Sequence, residues 1–509
     1  MARWFVDRLP QQGIPSVSLR RLLPGARFVG CEDFEVSGCT SDSRRLDPGQ
    51  VFVAVRGARH DGHAFIAQAM ERGAAGVVVE RPIPEAGRLQ VVVPDSRAAL
   101  ARLCQALAGD PSEQLLTIGV TGTAGATLTA VFLRAILEAS GGRHGLVSRS
   151  GWSDGLGTFP IGAGVTGADR LAAMLAGMVE RGCAGAVLEL DAETLARRGV
   201  EGIVLDAAVV TDLGTNPAVP EDELMSRRTA AARLFRQIAP GGFAVVNADD
   251  PRAELLGAVN LEAARVAFGI NASAEVRARI EGHERDGSRF FLHGFDHEVM
   301  VNLRLAGESA ISHALAAAAV AWARGVDVAS VVAGLESVTG LPGRLDRIDE
   351  GQPFDVLVDE SRHPAALREA LATLHTVTPG RVHCVFGAEG RPGDTSASVS
   401  RRALAATAES LADRLTVTND NPRTENPDKI LDELLAGFCR PGRVRIEPDR
   451  RAAIAAALAD AEPGDAVLIA GKGRQTFQIF ADHALPFDDA VVAREWLRSQ
   501  RAGTRRTSA

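Results

Sequence analysis

The sequence of 509 residues has no tyrosine, and its 56 basic residues include only two lysines, Lys429 and Lys472. Arginine and alanine are abundant in their place, which is typical of a strong coding bias. Such a bias explains a lysine that has become arginine and kept its charge. It does not explain a lysine that has become alanine, because that change removes the charge altogether.

Cysteine is also scarce, and no two cysteines form a C-x-x-C pair. Their scattered spacing does not indicate a zinc site or a disulfide framework, and it is typical of small core residues in a reducing compartment. The six positions are Cys31, Cys39, Cys104, Cys183, Cys384 and Cys439.

Long apolar runs and basic surfaces are missing as well. The N-terminus has no apolar segment of about 7–15 residues, as a signal peptide needs, and no apolar stretch of about 18 residues follows. Net charge is −8 with a pI near 5.8, and the one basic run is residues 501–506. We therefore expect a cytoplasmic protein with no nucleic-acid surface and no membrane insertion.

The length predicts about three domains at roughly 150 residues each. We assign residues 1–112 to a small N-terminal α/β domain, 113–338 to a central domain, and 339–499 to a C-terminal domain, followed by a disordered basic tail at 500–509. Strands and helices alternate in the second and third segments. This pattern favours parallel sheets covered by helices on both faces, so the predicted fold class is α/β.

One stretch of the central segment has the pattern of a phosphate loop. A buried apolar run, residues 116–120, leads into a glycine turn and then into apolar residues at helical spacing, which predicts strand, loop and helix. Glycines let backbone N–H groups turn toward an anion, and the helix adds its positive N-terminal end. The loop residues that fit this pattern are Gly122, Thr123, Gly125 and Thr127. Ala126, however, stands where a lysine should precede Thr127.

Carboxylates follow two buried strands that neighbour this loop. Glu189 and Asp212 occupy such strand ends, where nucleotide-binding proteins place a metal ligand. The alternative is a carboxylate that only caps a helix or a turn. In the N-terminal segment, Ser43 and Arg44 lie in a turn that could grip a diphosphate or sugar, although ordinary turn chemistry explains them equally.

The C-terminal segment has two further polar turns at strand ends, where α/β sheets bind ligands. Residues 420–423 read Asp-Asn-Pro-Arg, and residues 471–474 read Gly-Lys-Gly-Arg. Arg423 could receive a carboxylate through two parallel hydrogen bonds. Both turns could instead persist only because turns and helix starts need such residues.

The order of these motifs resembles the Mur ligases, specifically the MurE type, from about residue 35 to residue 497. The matching stretches are Asp42-Ser43-Arg44, Asp61-Gly62-His63, Thr121-Gly122-Thr123, Leu213-Gly214, Arg233-Leu234-Phe235, Asn247-Ala248-Asp249-Asp250, Gly343-Arg344, Asp420-Asn421-Pro422-Arg423, Gly471-Lys472-Gly473 and Pro486-Phe487-Asp488-Asp489. The resemblance implies an N-terminal domain for a UDP sugar, a central P-loop-type ATPase domain and a Rossmann-like C-terminal domain.

The reaction implied by the resemblance uses ATP and magnesium. ATP phosphorylates the carboxylate of UDP-N-acetylmuramoyl-L-alanyl-D-glutamate, and the amine of a diamino acid, usually meso-diaminopimelate, attacks the acyl phosphate. The resemblance assigns the UDP end to Ser43, Arg44 and Thr166. It assigns the amino acid to Asp420, Asn421 and Arg423, and we place Gly471 and Gln475 at the same site. In the family Arg344 and Asp359 lie near the nucleotide and the interdomain hinge, although they are equally explicable as linker and strand-end residues. Glu189 is the candidate metal ligand because of its strand-end position.

The departures from the family pattern concentrate at ATP, magnesium and the incoming amine. The family loop GTNGKT has lost its asparagine at Ala124 and its lysine at Ala126. A histidine has become Glu193, an aspartate-histidine pair has become Asn216-Pro217, and the carbamylated lysine falls at Ala231. The remaining departures are Ala310 and His313 for two adenine-side asparagines, Glu360 to Pro364 for the Y-A-H-T-P stretch, and Arg474 and Gln475 for histidine and glutamate.

Two hypotheses follow. The first is a MurE-like pseudoenzyme that binds a UDP-N-acetylmuramoyl-peptide precursor or a protein partner without coupling ATP hydrolysis to amide formation. The second is an active amide-forming ligase in which Arg362 or Lys472 reaches the phosphates. Loss of one preorganised donor costs about 10²–10³ in rate, so several such losses together favour the first hypothesis.

Overall fold

The computed structural model describes residues 16–57, 60–84, 89–161, 167–213, 221–256, 262–341, 343–394 and 396–507. They form three successive large sheets, each with its own apolar core, and two small two-stranded sheets. Among these residues, no helix combines the length and the apolar character needed to span a membrane.

The N-terminal part is built on a five-stranded sheet in the order β2-β7-β6-β5-β4, in which only β2 is antiparallel. Valines fill β5 to β7 because both faces are covered. The elements are β1 (Val17–Ser18), α1 (Leu19–Leu22), β2 (Arg27–Val29), β3 (Glu35–Val36), β4 (Cys39–Thr40), β5 (Val51–Val53), α2 (Ile66–Glu71), β6 (Gly76–Val79), β7 (Gln90–Val92) and α3 (Ser96–Leu107).

The central part is an eleven-stranded sheet in the order β11-β10-β9-β12-β8-β13-β14-β15-β16-β17-β18. Strands β9, β12, β8, β13, β14 and β15 run parallel, and β16 to β18 form an antiparallel meander. The strands are β8 (Leu116–Thr121), β9 (His144–Ser148), β10 (Gly151–Ser153), β11 (Thr158–Phe159), β12 (Gly185–Glu189), β13 (Leu205–Val210), β14 (Ile238–Asn247), β15 (Ala264–Gly269), β16 (Val276–Glu284), β17 (Gly287–Gly294) and β18 (His297–Leu303).

Helices cover both faces of this sheet and supply most of its core. They are α4 (Ala126–Ala139), α5 (Ala168–Glu180), α6 (Ala192–Ala196), α7 (Glu221–Phe235), α8 (Glu308–Ala323) and α9 (Val328–Ser337). Helix α8 is alanine-rich and almost wholly buried against α4 and the sheet. Because alanine is small, α8 can approach the loop that precedes α4 closely.

The C-terminal part is a six-stranded sheet in the order β19-β20-β24-β21-β22-β23, parallel except for β19. Its strands are β19 (Asp346–Arg347), β20 (Asp355–Asp359), β21 (Val382–Phe386), β22 (Arg414–Val417), β23 (Val444–Ile446) and β24 (Ala466–Ala470), followed by the hairpin β25 (Phe477–Ile479) and β26 (Ala484–Pro486). Its helices are α10 (Pro364–Val377), α11 (Ala397–Leu411), α12 (Pro427–Leu435), α13 (Arg450–Ala459) and α14 (Asp489–Thr507).

The last helix differs from the sequence expectation. Helix α14 extends to Thr507, into the segment 500–509 that we expected to be disordered. Val492 and Leu497 anchor the helix in the core, and arginine, alanine and glutamine beyond them are strong helix formers. The boundaries 1–112, 113–338 and 339–499 stay predictions.

Candidate active site

The predicted strand, glycine loop and helix are present at the centre of the large sheet. Strand β8 ends at Thr121, and α4 begins at Ala126 after a tight turn. Gly125 has φ of +75°, and a Cβ built on it would lie 1.9 Å from Cε1 of His313. A Cβ on Gly122 would lie 1.9 Å from Oγ1 of Thr211. Both glycines are therefore required by close neighbours as well as by the turn.

The carboxylate of Asp212 already accepts hydrogen bonds from this loop. Oδ2 of Asp212 accepts a hydrogen bond from the backbone N–H of Ala124 at 2.8 Å, and Oδ1 accepts one from the hydroxyl of Thr123. Asp212 follows β13, one of the two strands that flank β8. An internal anion thus takes up hydrogen-bonding capacity that a phosphate loop offers to its ligand.

The predicted metal ligand Glu189 lies at the end of β12, the other strand that flanks β8. Its side chain is 2% exposed, and Oε1 lies 3.2 Å from Nε of Arg149. The carboxylate also accepts hydrogen bonds from the Thr127 hydroxyl at 2.8 Å and from the backbone N–H of Arg149 at 2.9 Å. The guanidinium therefore supplies the positive charge that a metal ion would bring to these two oxygen ligands.

The surrounding residues do not complete a metal site. Ala231 is 7% exposed on α7 and packs in an apolar cluster, so it offers no ligand. Asn216 lies outside the described residues. Among the residues that the structure describes, no group of three or more histidine, cysteine, aspartate or glutamate side chains could hold a metal ion.

His313 packs directly over the glycine loop from α8. Its Nε2 lies 2.9 Å from Oε1 of Glu369 on α10, so the ring joins the central and C-terminal sheets. Nδ1 is buried and has no hydrogen-bond partner in the described part of the chain. Burial alone would raise the pKa of Glu369, but the hydrogen bond and charge of His313, with smaller contributions from Arg344 and Ser309, hold it below its usual value.

These groups line a cavity of about 630 Å³ between the central and C-terminal sheets. The loop from Gly122 to Leu128 and the start of α8, including Ala310, form one wall, and β20 and α10 form the other. Arg149 and Arg304 contribute positive charge, and Arg304 has no ion pair in the described part of the chain. The lining residues do not include Arg362 or Lys472, the two cations that we considered as replacements for the loop lysine.

Arg344 and Asp359 both border this cavity, as the resemblance implies for the nucleotide side. Nη1 of Arg344 lies 3.7 Å from Oδ1 of Asp359, and its Nε lies 3.5 Å from Glu360. Asp359 also accepts hydrogen bonds from the N–H groups of Leu345 and Ser361. Burial raises the pKa of Asp359, against the opposing effect of the arginine.

The residues predicted to bind the amino acid come together at the carboxyl ends of β22 and β24, but two of them are buried. Asp420 and Asn421 are 2% and 1% exposed. Nδ2 of Asn421 donates to Oε1 of Gln475 at 2.6 Å, and its Oδ1 accepts a hydrogen bond from Nζ of Lys472 at 3.3 Å. A Cβ on Gly471 would lie 2.8 Å from Oδ2 of Asp420. Burial raises the pKa of Asp420.

Arg423 is paired with a carboxylate of the chain itself. Its Nε and Nη2 lie 3.1 and 2.6 Å from Oε1 of Glu389, while Nη1 of Arg362 lies 4.0 Å from Oε2. Nε of Arg362 donates to the carbonyl of Gly471 at 2.9 Å. Glu389 thus occupies the guanidinium that the resemblance assigns to the carboxylate of an amino acid.

The two described residues that were predicted to bind the UDP end differ in exposure. Ser43 is 5% exposed and donates its hydroxyl hydrogen to Gln68 Oε1 at 2.6 Å. The side chain of Arg44 is 80% exposed and pairs with Asp42 at 2.9 Å. Thr166 lies outside the described residues.

Sequence reasoning did not identify Arg149, Glu369 or Glu389 as residues of these sites. Arg149 directly follows β9, and Glu389 comes shortly after β21. Because ligands bind at the carboxyl ends of parallel strands, that placement could have indicated both residues. Glu369 lies within α10, and no local pattern marks its contact with a histidine of another sheet.

Three family models match the chain in sequence order. They are the Mur ligase family catalytic domain over residues 35–107, the Mur ligase middle domain over 120–321, and the Mur ligase glutamate ligase domain over 343–473. The chain is also 37% identical, over 486 residues, to the UDP-N-acetylmuramyl-tripeptide synthetase of Roseiflexus sp. (strain RS-1), covering 91% of this chain and 94% of that relative. The chain belongs to the Mur ligase family.

Within this family, the similarity extends to the MurE type. The UDP-N-acetylmuramoyl-L-alanyl-D-glutamate--2,6-diaminopimelate ligase of Syntrophomonas wolfei subsp. wolfei is 34% identical over 476 residues, covering 92% of this chain and 96% of that relative. A solved structure of a ligase with the same name aligns with a TM-score of 0.68 at 25% identity, covering 96% of this chain and 100% of that chain. The predicted family and three-domain architecture are confirmed.

Proposed function

We propose that this chain is a MurE-like protein of peptidoglycan precursor synthesis that does not couple ATP hydrolysis to amide formation. The observation that carries the proposal is that Glu189 contacts both the guanidinium of Arg149 and the hydroxyl of Thr127. In P-loop proteins the equivalent threonine hydroxyl and a strand-end carboxylate hold Mg²⁺. Here the hydroxyl donates to the carboxylate, and a guanidinium neutralises that carboxylate.

Magnesium and the ATP phosphates therefore do not fit the residues present. Arg149 must withdraw before a metal ion can approach Glu189, and its withdrawal leaves a buried carboxylate. On the phosphate side, Asp212 holds the Ala124 N–H, and the imidazole of His313 fills the space over Gly125. A phosphate approaching Asp212 would meet like charge. No step of the family reaction is assigned to these residues.

The amino-acid site supports the same proposal. Arg423 is bound to Glu389, and Asp420 is inaccessible, so a free amino acid would have to displace an internal carboxylate. Among the residues that the structure describes, the displaced glutamate would keep the more distant Arg362 as its ion-pair partner. The proposed ligands are therefore a UDP-N-acetylmuramoyl-peptide precursor at the N-terminal domain, or a protein partner. Arg44 there is paired with Asp42, but its guanidinium is 80% exposed, so solvent screens that pair and a diphosphate can compete for the arginine.

The test combines a reaction assay with a binding assay on the full chain. Phosphate release is measured with ATP, Mg²⁺, UDP-N-acetylmuramoyl-L-alanyl-D-glutamate and meso-diaminopimelate, and precursor binding is measured by calorimetry. We expect precursor binding without substrate-dependent phosphate release. Arg44→Ala should weaken precursor binding, whereas Arg27→Ala, a change at another exposed arginine of the same domain, should not. Phosphate release that requires all three substrates would overturn the proposal.

One observation favours a second candidate, an active ligase with a rebuilt phosphate site. Arg304 lines the cavity without an ion pair in the described part of the chain, so a guanidinium is available to a phosphorylated ligand. In this case phosphate release should be measurable and should fall at least about tenfold in Arg304→Ala. Equal release from Arg304→Ala and the unmodified chain would exclude this role for Arg304.

A further inference from the structure

We propose that the central and C-terminal domains are held in their closed arrangement by an interdomain clasp made of the chain's own side chains, so that closure needs no nucleotide. The clasp consists of two contacts, His313 with Glu369 and Arg285 with Asp355. The inference goes beyond the proposed function, since it concerns how the two domains are joined rather than whether the site is catalytic.

The first contact lies beside the glycine loop. The side chain of His313 is 10% exposed and that of Glu369 is 26% exposed, so water screens their interaction little. Backbone packing reinforces it, because a Cβ on Gly307, at the start of α8, would lie 2.7 Å from Oγ1 of Thr373 on α10. Helix α10 of one domain is therefore in close contact with helix α8 of the other.

The second contact joins the turn between β16 and β17 to the start of β20. Arg285 donates from Nε to Oδ2 of Asp355 at 2.9 Å and from Nη2 to Oδ1, which is the bidentate arrangement that guanidinium and carboxylate groups favour. Nη2 of Arg347, in β19, donates to the backbone carbonyl of Arg285 at 3.3 Å, and its Nη1 lies 3.4 Å from Asp286. Two residues of the turn are thereby bound to the C-terminal domain.

Both contacts border the same cavity and join its opposite walls. A swing of the C-terminal domain away from the central domain would break both of them. It would leave Glu369 without its imidazole partner and Asp355 without its bidentate arginine. In an enzyme that closes on its ligand, the ligand itself bridges the two walls and stabilises the closed state. Here side chains of the protein form that bridge.

The test measures domain opening in the full chain without nucleotide. Small-angle scattering gives the radius of gyration, and hydrogen exchange gives the protection of α8 and α10, for the unmodified chain and for Arg285→Met/Glu369→Gln. The matched control is Arg445→Met, which removes a half-exposed ion pair with Asp460 inside the C-terminal domain.

We expect the unmodified chain to scatter as the closed arrangement in EDTA, with no contraction on addition of ATP and Mg²⁺. The double variant should have a larger radius of gyration and about tenfold lower protection in α8 and α10, with unchanged protection in the N-terminal sheet. An unmodified chain that is open in EDTA, or a double variant as closed as the control, would overturn the inference. Substrate-dependent phosphate release would instead contradict the proposed function, so the two failures are distinguishable.

Discussion

Replacing Arg149 by alanine tests the contact on which the proposed function depends. The change leaves Glu189, whose side chain is 2% exposed, with two hydrogen-bond donors and no opposing charge. Removing one partner of a fully buried pair costs about 3–5 kcal/mol. The side chain of Arg149 is 53% exposed, so solvent screening reduces the expected loss to about 1–2 kcal/mol. For a domain of this size that loss corresponds to a Tm lower by about 2–8 °C.

The assay is thermal unfolding of the full chain in EDTA and in millimolar Mg²⁺. In Arg149→Ala, the emptied position beside Glu189 and Thr127 offers oxygen ligands to a hard cation, so Mg²⁺ should recover part of the lost stability. The unmodified chain should not respond to Mg²⁺. Arg445→Ala serves as the control and should change stability by less than about 0.5 kcal/mol. An Arg149→Ala variant as stable as the control, or an unmodified chain stabilised by Mg²⁺, would refute the reasoning.

Three further predictions concern single positions. Gly125→Ala should lower the free energy of unfolding by about 3 kcal/mol or more, because the new Cβ would lie 1.9 Å from the imidazole of His313. Gly109 has φ of +82° but open space around it, so Gly109→Ala should lower the free energy of unfolding by about 1–2 kcal/mol. Asp489→Asn should lower the free energy of unfolding by about 3–5 kcal/mol, because its arginine partner is wholly buried. Arg451→Ala removes a surface ion pair and should lower the free energy of unfolding by less than about 1 kcal/mol. Burial raises the pKa of Asp420, so Asp420→Asn should stabilise the chain at neutral pH.

Thermal unfolding checks the first two predictions, and equal losses within either pair of variants would contradict them. The third is checked by unfolding as a function of pH. A carboxyl whose folded pKa is raised binds its proton more tightly when folded, so it disfavours folding above that pKa and this penalty is relieved as pH falls through it. The advantage of Asp420→Asn should therefore shrink on mild acidification. If the stability advantage of Asp420→Asn grew on acidification, the pKa of Asp420 would be lowered on folding rather than raised.

Local patterns were sufficient to predict the strand, glycine loop and helix of the candidate site. The run from Leu116 to Thr121 is apolar and bounded by glycine, and Ala126 to Ala139 has helical spacing, so strand, turn and helix follow from backbone preferences. Glu189 was expected at a strand end beside the loop and lies there. Ala126, which follows Gly125 in the glycine loop, was likewise visible in the sequence as a residue without charge.

The side-chain contacts around the glycine loop could not be predicted in the same way. His313 and Glu369 are 56 residues apart and belong to different sheets, so their pairing depends on how the two domains meet. Arg149 lies beside Glu189 because β9 and β12 pair in parallel, and the sequence alone did not indicate that pairing. Contacts between residues far apart in the sequence depend on the packed structure, which is why local patterns did not indicate them.

The most direct test of the account is a calorimetric titration of the full chain with ATP in the presence of Mg²⁺, with and without saturating UDP-N-acetylmuramoyl-L-alanyl-D-glutamate. The account predicts no binding heat at near-millimolar ATP in either condition. The reason is that Arg149 pairs with Glu189, Asp212 binds the glycine loop, and His313 packs over Gly125. Micromolar ATP binding that Mg²⁺ requires and the precursor tightens would contradict the account, because it would show that these side chains give way to the nucleotide.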